Sequence, residues 1–566
     1  MESFKTEIAK KLAEKTGRGW EELAKAIEVP PQAEFGDFAF PCHGLAKVMR
    51  KNPAQIAAEL ASAIPIGDGV KKVQAVAGYV NFLVDRARAS QEVLKQIFGE
   101  GASYGSGKLG DGKTIAIDYS SPNIAKHFGV GHLRSTAIGH SLYRIYRKLG
   151  YKTVGINHLG DWGTQFGQLI AAFKKWGSEE KLSEDPITHL FELYVRFNKE
   201  AKENPEMAEE GRFWFKKLEE GDADTRQLWQ HFKDLSLQEF ERIYAAFLGI
   251  SFDYYWGESF YNDKIEGVIK LLEEKKLSRL SEGALVVDLS AFDMPPLLLR
   301  KKDEATLYST RDLAAAILRW ERFGFERSLY VVNVAQDLHF KQLFKTLELA
   351  GFSWASRLVH VSFGWVKFGD AVMSTREGNI VFLKEVLEKG IELAEKTIRE
   401  KNPDLKDLDK TAKMIAVGAI MFADLSARRH KDITFRWEEV LNFEGETGPY
   451  LQYTHARLAS LLRKYGKPVK GDVNFDLIAT EPVWPVVRQL GNFPSTVLAA
   501  AEAYEPSFIA TYLLDLAKAF NAFYQTERIL TDDEPATDAK ILLCSGVKSV
   551  LKEGLYLLGI ESPEEM

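Results

Sequence analysis

Cysteine is nearly absent from this chain. Cys42 and Cys544 are the only two among 566 residues, which excludes a disulfide framework and a cysteine-built zinc site. No apolar run reaches bilayer-spanning length. Neither sign of charge dominates, the net charge being −6, so a polyanionic partner would have to meet a local basic patch. Internal repeats and low-complexity tails are missing too. The first residues, MESFKTEIAKKLAEK, mix acidic with basic side chains and read as an amphipathic helix rather than a signal or transit peptide. The expectation is a cytoplasmic protein without a membrane partner. What is plentiful is ordinary globular material: 45% hydrophobic and 27% charged residues, in a chain long enough for about two to four domains.

The most informative stretch runs over 114–150, TIAIDYSSPNIAKHFGVGHLRSTAIGHSLYRIYRKLG. A β-branched run (Thr114, Ile115, Ile117) reads as a buried strand. It breaks at the turn formers Ser120, Ser121, Pro122 and Asn123. From Val130 a helical pattern follows, with Ile138, Leu142, Ile145, Tyr146 and Leu149 on one face. A second strand pattern at 153–156 completes a βαβ unit. Lys126, His127, Gly129, Gly131 and His132 fall at the helix start, where free N–H groups and the helix dipole attract anions. The spacing predicts a site for nucleotide phosphates. Each residue alone has a plainer explanation, since glycines relieve turns and a histidine near a helix start often only caps it.

The rest of the chain divides around this unit. Residues 1–110 read as a small α/β module, with helices at 2–15, 19–27 and 53–63 and strands at 71–76 and 79–84. Tyr79 and Asn81 alternate along the last strand and share a face; a ring beside an amide suits an unpaired nucleotide, and cross-strand packing accounts for the same spacing. The glycine-rich 100–113 reads as a flexible linker. Residues 111–404 read as a parallel-sheet domain interrupted by a charged helical insertion over about 171–248, whose aromatic stripe (Phe191, Tyr194, Phe197) is packing. His158, Asp161, Trp162 and Gln165 follow a strand end, where open α/β sheets place ligands. Further strand patterns lie at 252–256, 284–289, 297–300, 329–334 and 358–363. Glu258 follows the first of these, and Gln336 and Asp337 follow the run LYVVNVA. Tyr308 and Asp312 are four apart and can share a helix face, although Asp312 could equally be the cap of DLAAAILRW. The loop over 366–383 offers hydroxyls and a guanidinium at Met373, Ser374, Thr375 and Arg376, a weak anion site. Residues 405–566 are wholly helical, with Tyr450, Gln452, Tyr453, His455, Arg457, Arg463 and Lys464 interleaving aromatic and polar or basic groups as single-stranded RNA sites do.

These motifs resemble those of a known family, the class I arginyl-tRNA synthetases. SSPNIAK followed by VGHLRST looks like its version of the H-x-G-H signature, and NHLGDWGTQFG, LYSTRDLAAA, MSTREGN and GETGPYLQYTHAR are similar to further family motifs in the family's order. The resemblance implies a Rossmann-like parallel-sheet catalytic domain with a helical insertion, a small α/β N-terminal domain and a C-terminal helical bundle. It implies ATP, with Mg²⁺, at Lys126, Gly129, Gly131, His132 and Met373–Arg376, and no structural metal. Lys126, His127, Gly131 and His132 would then be the catalytic group. L-Arginine would lie among Ser121, Asn123, His132, Glu258, Tyr308, Asp312 and Gln336. Tyr79 and Asn81 would touch the tRNA D-loop, and Tyr450, Gln452, Tyr453, His455, Arg457 and the terminal Met566 the anticodon region. A monomer joining arginine to its tRNA is the expected whole. The chain departs from the pattern where the first signature histidine is replaced by Gly129, in a degenerate K-M-S-K-S loop carrying Glu377, and at Asp118, where relatives often have Glu. Rival readings are a class I synthetase for another amino acid and a tRNA-binding relative without chemistry.

Overall fold

The computed structural model describes residues 1–30, 32–67, 69–302, 307–368 and 382–566, apart from the side chains of residues 33 and 130. Met373 to Arg376, and Glu377 with them, lie outside the described residues.

Three antiparallel strands open the chain: β1 (Phe38–Pro41), β2 (Val70–Val76) and β3 (Tyr79–Val84), in the order β1-β3-β2. The helices Glu2–Thr16 and Pro53–Ala63 contribute Phe4, Ile8, Leu12, Ile56 and Leu60 to the same buried cluster as Phe82. The segment read as a flexible linker is pinned instead. Tyr104 is buried against Phe493, and its hydroxyl donates to the Leu490 carbonyl at 2.9 Å. Glycine content marked the turns there, but one aromatic anchor decides the packing.

The central sheet is built from β4 (Thr114–Asp118), β5 (Lys152–Asn157) and β6 (Tyr254–Tyr255). Five further strands follow in this part of the chain. β7 (Ser278–Ser281), β8 (Ala284–Val287) and β9 (Leu297–Arg300) form a separate antiparallel sheet. β10 (Arg327–Tyr330) and β11 (Leu358–His360) return to the central one. The central order is β11-β10-β4-β5-β6, every pair parallel. The chain winds outward from β4 through β5 to β6, then crosses back to β10 on β4's other side, so β4 and β10 flank the topological switch point. Such sheets bind ligands in the crevice above that point, outside the carboxyl ends of the strands. The sequence reading extended β10 to residue 334; the strand ends at Tyr330, and the backbone turns into the 3₁₀ segment Val334–Gln336.

The β4–β5 crossover is the helix Val130–Lys148. Between β5 and β6 stand the helices Thr164–Trp176, Pro186–Glu203, Pro205–Glu220 and Ala223–Ile243, the last ending in a π-turn over Tyr244–Leu248. Phe191 and Phe197 are buried there, as a packing stripe should be. β12 (Val366–Phe368) pairs in parallel with β13 (Ile433–Phe435), so the stretch from 405 onward is not wholly helical as its pattern suggested: a short β-branched and aromatic run there finds a strand partner. The C-terminal helices include Leu408–Leu425, Gly448–Tyr465, Trp484–Glu502, Ser507–Thr526 and Glu534–Leu557. No helix among the described residues is long and apolar enough to cross a membrane.

Candidate active site at the carboxyl ends of the parallel strands

The loop leaving β4 is held by side chains from distant elements. Ser120, Ser121 and Ala125 all have positive φ (73°, 48° and 57°), a conformation that non-glycine residues hold only when their surroundings impose it. Those surroundings are specific. The Ser120 N–H donates to Ser135 Oγ at 2.9 Å, and its hydroxyl lies 2.6 Å from that of Tyr244. The Ser121 hydroxyl donates to Asp118 Oδ1 at 2.9 Å, and its N–H to Asn157 Oδ1 at 3.2 Å. The Ala125 N–H donates to Ser236 Oγ at 2.9 Å. Asn123 bridges Gly160. The loop is thus preformed against β5 and the insertion.

Gly129 is the residue before the Val130–Lys148 helix. Gly131, on the first turn, is exposed, and a Cβ built there would meet nothing within 4 Å among the described residues. Packing therefore does not require that glycine, and the space over it is open. His132 Nδ1 is buried and finds no partner among the described residues. Burial, with the charge of Lys126, pushes the His132 imidazole down to about 4, so the ring is neutral near pH 7. Lys126 reaches the insertion, its Nζ 4.6 Å from the Tyr194 ring and 3.4 Å from Gln165 Oε1. His127 packs on the rings of Phe382 (3.9 Å) and Phe191 (5.3 Å), with Nε2 3.4 Å from the Thr188 hydroxyl. The chain re-enters the described structure at Phe382, which bridges Gly129, while Leu383 N–H donates to the Phe128 carbonyl at 2.9 Å.

Past the carboxyl ends of β5 and β6, where His158 and Glu258 follow the strands, lies an acidic cluster. Asp312 is not the cap that its sequence position allowed, because the helix begins at Tyr308 and Asp312 sits in its second turn. Its Oδ2 is 2.7 Å from His339 Nε2 and its Oδ1 3.4 Å from His158 Nε2. Burial opposes its charge, yet hydrogen bonds from the two imidazoles hold the carboxyl far below the usual range. Glu258 follows β6, its N–H bonded to the Leu159 carbonyl at 3.0 Å. Burial pushes its carboxyl up to about 7; His158 and Arg311 pull it down, while Asp312 and Asp161 add to the rise. The Tyr308 ring stands edge-on to His339 at 5.0 Å and is 55% exposed; Gln336 is exposed at the edge beyond β10.

Asp118, at the end of β4, is bound internally. Its Oδ2 accepts from Arg319 Nη2 at 2.8 Å, and Arg319 is only 1% exposed. Asp161 likewise accepts from Lys233 (2.6 Å) and from Ser259. Sequence reasoning missed Arg319 and His339 as parts of the site. Arg319 is one polar residue on an amphipathic helix and His339 one residue of the Asp337–Leu349 helix, with no local pattern to mark either.

The residues expected to meet RNA divide by exposure. Tyr79 is half-buried beside His43, and Asn81 is 2% exposed. Gln452 and His455 face inward and hold the C-terminal tail: Gln452 Nε2 donates to the Met414 and Glu561 carbonyls (2.9 and 2.8 Å) and His455 Nδ1 to that of Pro563 (2.9 Å). The opposite side of the same helix is open. Tyr453 is 41% exposed, and the Arg457 guanidinium lies over the rings of Tyr453 (4.9 Å) and Tyr524 (5.3 Å). These three line a cavity of about 320 Å³ with Arg463, Lys464 and Met566. Tyr450 is half-buried, its hydroxyl accepting from Asn521 at 2.8 Å.

Comparison with known proteins accounts for the whole chain. The family described as "tRNA synthetases class I (R), catalytic domain" matches residues 93–437. The chain belongs to the arginyl-tRNA synthetase family. Its remaining parts agree, the "Arginyl tRNA synthetase N terminal domain" matching residues 2–84 and the "DALR anticodon binding domain" residues 451–566. An arginine–tRNA ligase of Clostridioides difficile is 48% identical over 567 residues, all of both chains, and one of Bacillus cereus is 50% identical over 96% of each. Among solved structures, Thermus thermophilus arginyl-tRNA synthetase superposes with a TM-score of 0.80 at 28% identity, covering 95% of this chain and 96% of that one. The Plasmodium falciparum enzyme gives 0.81 at 26% identity over 99% of each.

Proposed function

We infer that this chain is an arginine–tRNA ligase that activates L-arginine with ATP and transfers it to the 3′ end of tRNA(Arg). The observation that carries this reading is the acidic site of Asp312 and Glu258, placed at the carboxyl edge of the same sheet whose first crossover helix starts at an exposed glycine and at a histidine whose Nδ1 finds no partner among the described residues. A guanidinium never loses its proton and seeks planar anionic partners; the two carboxylates supply them, with Tyr308 and Gln336 at the rim. Ser121 and Asn123 lie on the strained loop between that site and the helix start, placed to meet the α-amino and carboxylate ends.

In the first step a carboxylate oxygen of arginine attacks the α-phosphorus of ATP in line, pyrophosphate leaves, and arginyl-adenylate forms. In the second the terminal ribose hydroxyl of the tRNA attacks the mixed anhydride carbonyl and AMP leaves. Neither step needs a protein nucleophile, so the protein contributes orientation and charge. The free N–H groups about Gly129 and Gly131 bind phosphate oxygens. His132, neutral at working pH, donates a hydrogen bond rather than a charge, and Lys126 supplies the cation. Mg²⁺ belongs to this reading as the counter-ion of the triphosphate, neutralising its charge.

For tRNA, the chain divides at 1–110, 111–404 and 405–566. Tyr79 on the first part meets the D-loop. The exposed face of Tyr453, Arg457 and Tyr524 with Met566 takes an unstacked base of the anticodon region, where ring and guanidinium planes are sequence-tolerant platforms. The protein works as a monomer in the cytoplasm. ATP–pyrophosphate exchange in the presence of tRNA, run with arginine, lysine and glutamate, tests the reading. Exchange with arginine alone is expected; exchange with another amino acid, or none at all, overturns it.

A further inference from the structure

The acidic site contains a histidine whose two nitrogens both face acceptors. His158, just past the end of β5, has Nδ1 3.0 Å from the Trp256 carbonyl oxygen and Nε2 3.4 Å from Asp312 Oδ1. A carbonyl can only accept, so Nδ1 carries hydrogen. In a neutral ring Nε2 would then present a lone pair to a carboxylate. Only the doubly protonated ring satisfies both neighbours. Among the described residues the donor near Nδ1 is Arg319 Nη2, at 3.5 Å; one of its two hydrogens goes to Asp118 at 2.8 Å, and the Trp256 carbonyl lies closer to Nδ1 than this guanidinium does. His339, by contrast, satisfies Asp312 Oδ2 with a single N–H at 2.7 Å and needs no second proton.

We propose that His158 is a placeholder for the substrate's charge: the free protein keeps a proton on His158 opposite Asp312, and the guanidinium of arginine, on arriving, expels that proton to solvent. This rests on the arginine site proposed above and deepens it. His158 is then a positioning and specificity-determining residue, holding Asp312 in register between two imidazoles while the site is empty. An uncharged side chain cannot make the exchange, because nothing replaces the expelled charge.

The remaining charged groups around the ring favour the same cycle. Asp118 (β4) and Asp312 (the Tyr308–Phe323 helix) raise the His158 imidazole against the cost of its burial, Arg319 on the latter helix opposing them. The Tyr261 ring packs beside it at 5.6 Å. Glu258, beyond β6, sees His158, Asp312, Arg311 and Asp161, the last already neutralised by Lys233 at 2.6 Å. With its carboxyl pushed up to about 7, Glu258 is part-protonated when the site is empty, and a guanidinium beside it completes its ionisation. Both groups therefore hold more protons without arginine than with it, so affinity for arginine rises with pH.

Calorimetric titration of the full-length protein with L-arginine at pH 7, in phosphate and in Tris, tests this. Buffers of different ionisation enthalpy give different heats when protons are released. About half a proton or more should leave per arginine bound, and the dissociation constant should fall by up to about tenfold per pH unit between pH 6 and 7. Citrulline, the uncharged isostere, should release none. In His158→Gln the release should shrink and the pH dependence flatten, leaving the share of Glu258, which Glu258→Gln removes. Equal heats in the two buffers for the unaltered protein overturn the proposal. So does release undiminished in His158→Gln, which would assign the whole exchange to Glu258 and mean that Nδ1 accepts from Arg319. Absence of any arginine heat would overturn the arginine site itself, and this proposal with it.

Discussion

Asp312 carries its charge in a half-buried place because two imidazoles share it, and that makes its removal informative. Asp312→Asn keeps the shape but leaves a guanidinium without its anionic partner. Losing one side of a buried, hydrogen-bonded charge pair costs about 2–5 kcal/mol. The KM for arginine should rise by about a hundredfold or more while that for ATP changes little, measured by exchange kinetics varying each substrate in turn. Lys126 separates differently. Its ammonium lies against Tyr194 and Gln165 at the insertion, so Lys126→Ala should slow adenylate formation in single-turnover experiments more than it weakens arginine binding. Loss of the neighbouring charge should also let the His132 imidazole rise from its depressed value, because Lys126 is one of the causes of that depression. An NMR titration of His132 reads that rise directly. At this scale the sequence exposed the acids, through motif and residue type. It could not expose Arg319, 201 positions away from Asp118 and yet 2.8 Å from it, because nothing local to either residue requires the other.

Among elements, the Val130–Lys148 helix shows how two glycines on one helix differ. A Cβ at Gly139 would lie 2.2 Å from Tyr119 Cβ, whereas one at Gly131 meets open space. Gly139→Ala should therefore destabilise by overpacking, about 1–3 kcal/mol, read as a lower midpoint of thermal unfolding. Gly131→Ala should leave that midpoint unchanged or raise it slightly, since alanine suits a helix better. It should instead raise the KM for ATP, because the added methyl occupies the space a phosphate would use. Periodicity and turn chemistry made this helix and its flanking strands readable within a residue or two. They misjudged the end of β10, where the apolar run continues after the ladder stops at Tyr330, and they took 100–113 for a linker because composition does not reveal that Tyr104 has a buried place waiting.

Across the whole molecule, the two ends of the chain are fastened together. Trp484 Nε1–H donates to Asp37 Oδ1 at 2.6 Å, Val84 N–H to Asp37 Oδ2 at 2.9 Å, and Arg86 lies over the Trp484 ring at 5.3 Å. Burial raises the Asp37 carboxyl, the Val84 N–H, Arg86 and Trp484 opposing the rise. Asp37→Ala strands two buried donors, so it should cost about 2 kcal/mol or more, checked by denaturant unfolding. The last residues are fastened as firmly. Gln452, His455, Asn402 and Arg463 all bond carbonyls of 561–566. Deleting 561–566 should raise the KM for tRNA several-fold and leave arginine and ATP constants nearly unchanged in the exchange assay at saturating tRNA, because the tail shapes the cavity near Tyr453 and lies on no strand of the catalytic sheet.

By itself the sequence determined the elements, their order, the βαβ start and, through its motifs, the family. Those depend on side-chain periodicity, turn formers and spacing, which act within a few residues of each other. Only the tertiary structure decided which charges meet. It gave Asp312 to His158 and His339, gave Asp118 to Arg319, turned Gln452 and His455 inward, and joined Asp37 to Trp484. Electrostatic and hydrogen-bond partners are chosen by distance in space, and desolvation then sets how strongly each pair shifts its protons.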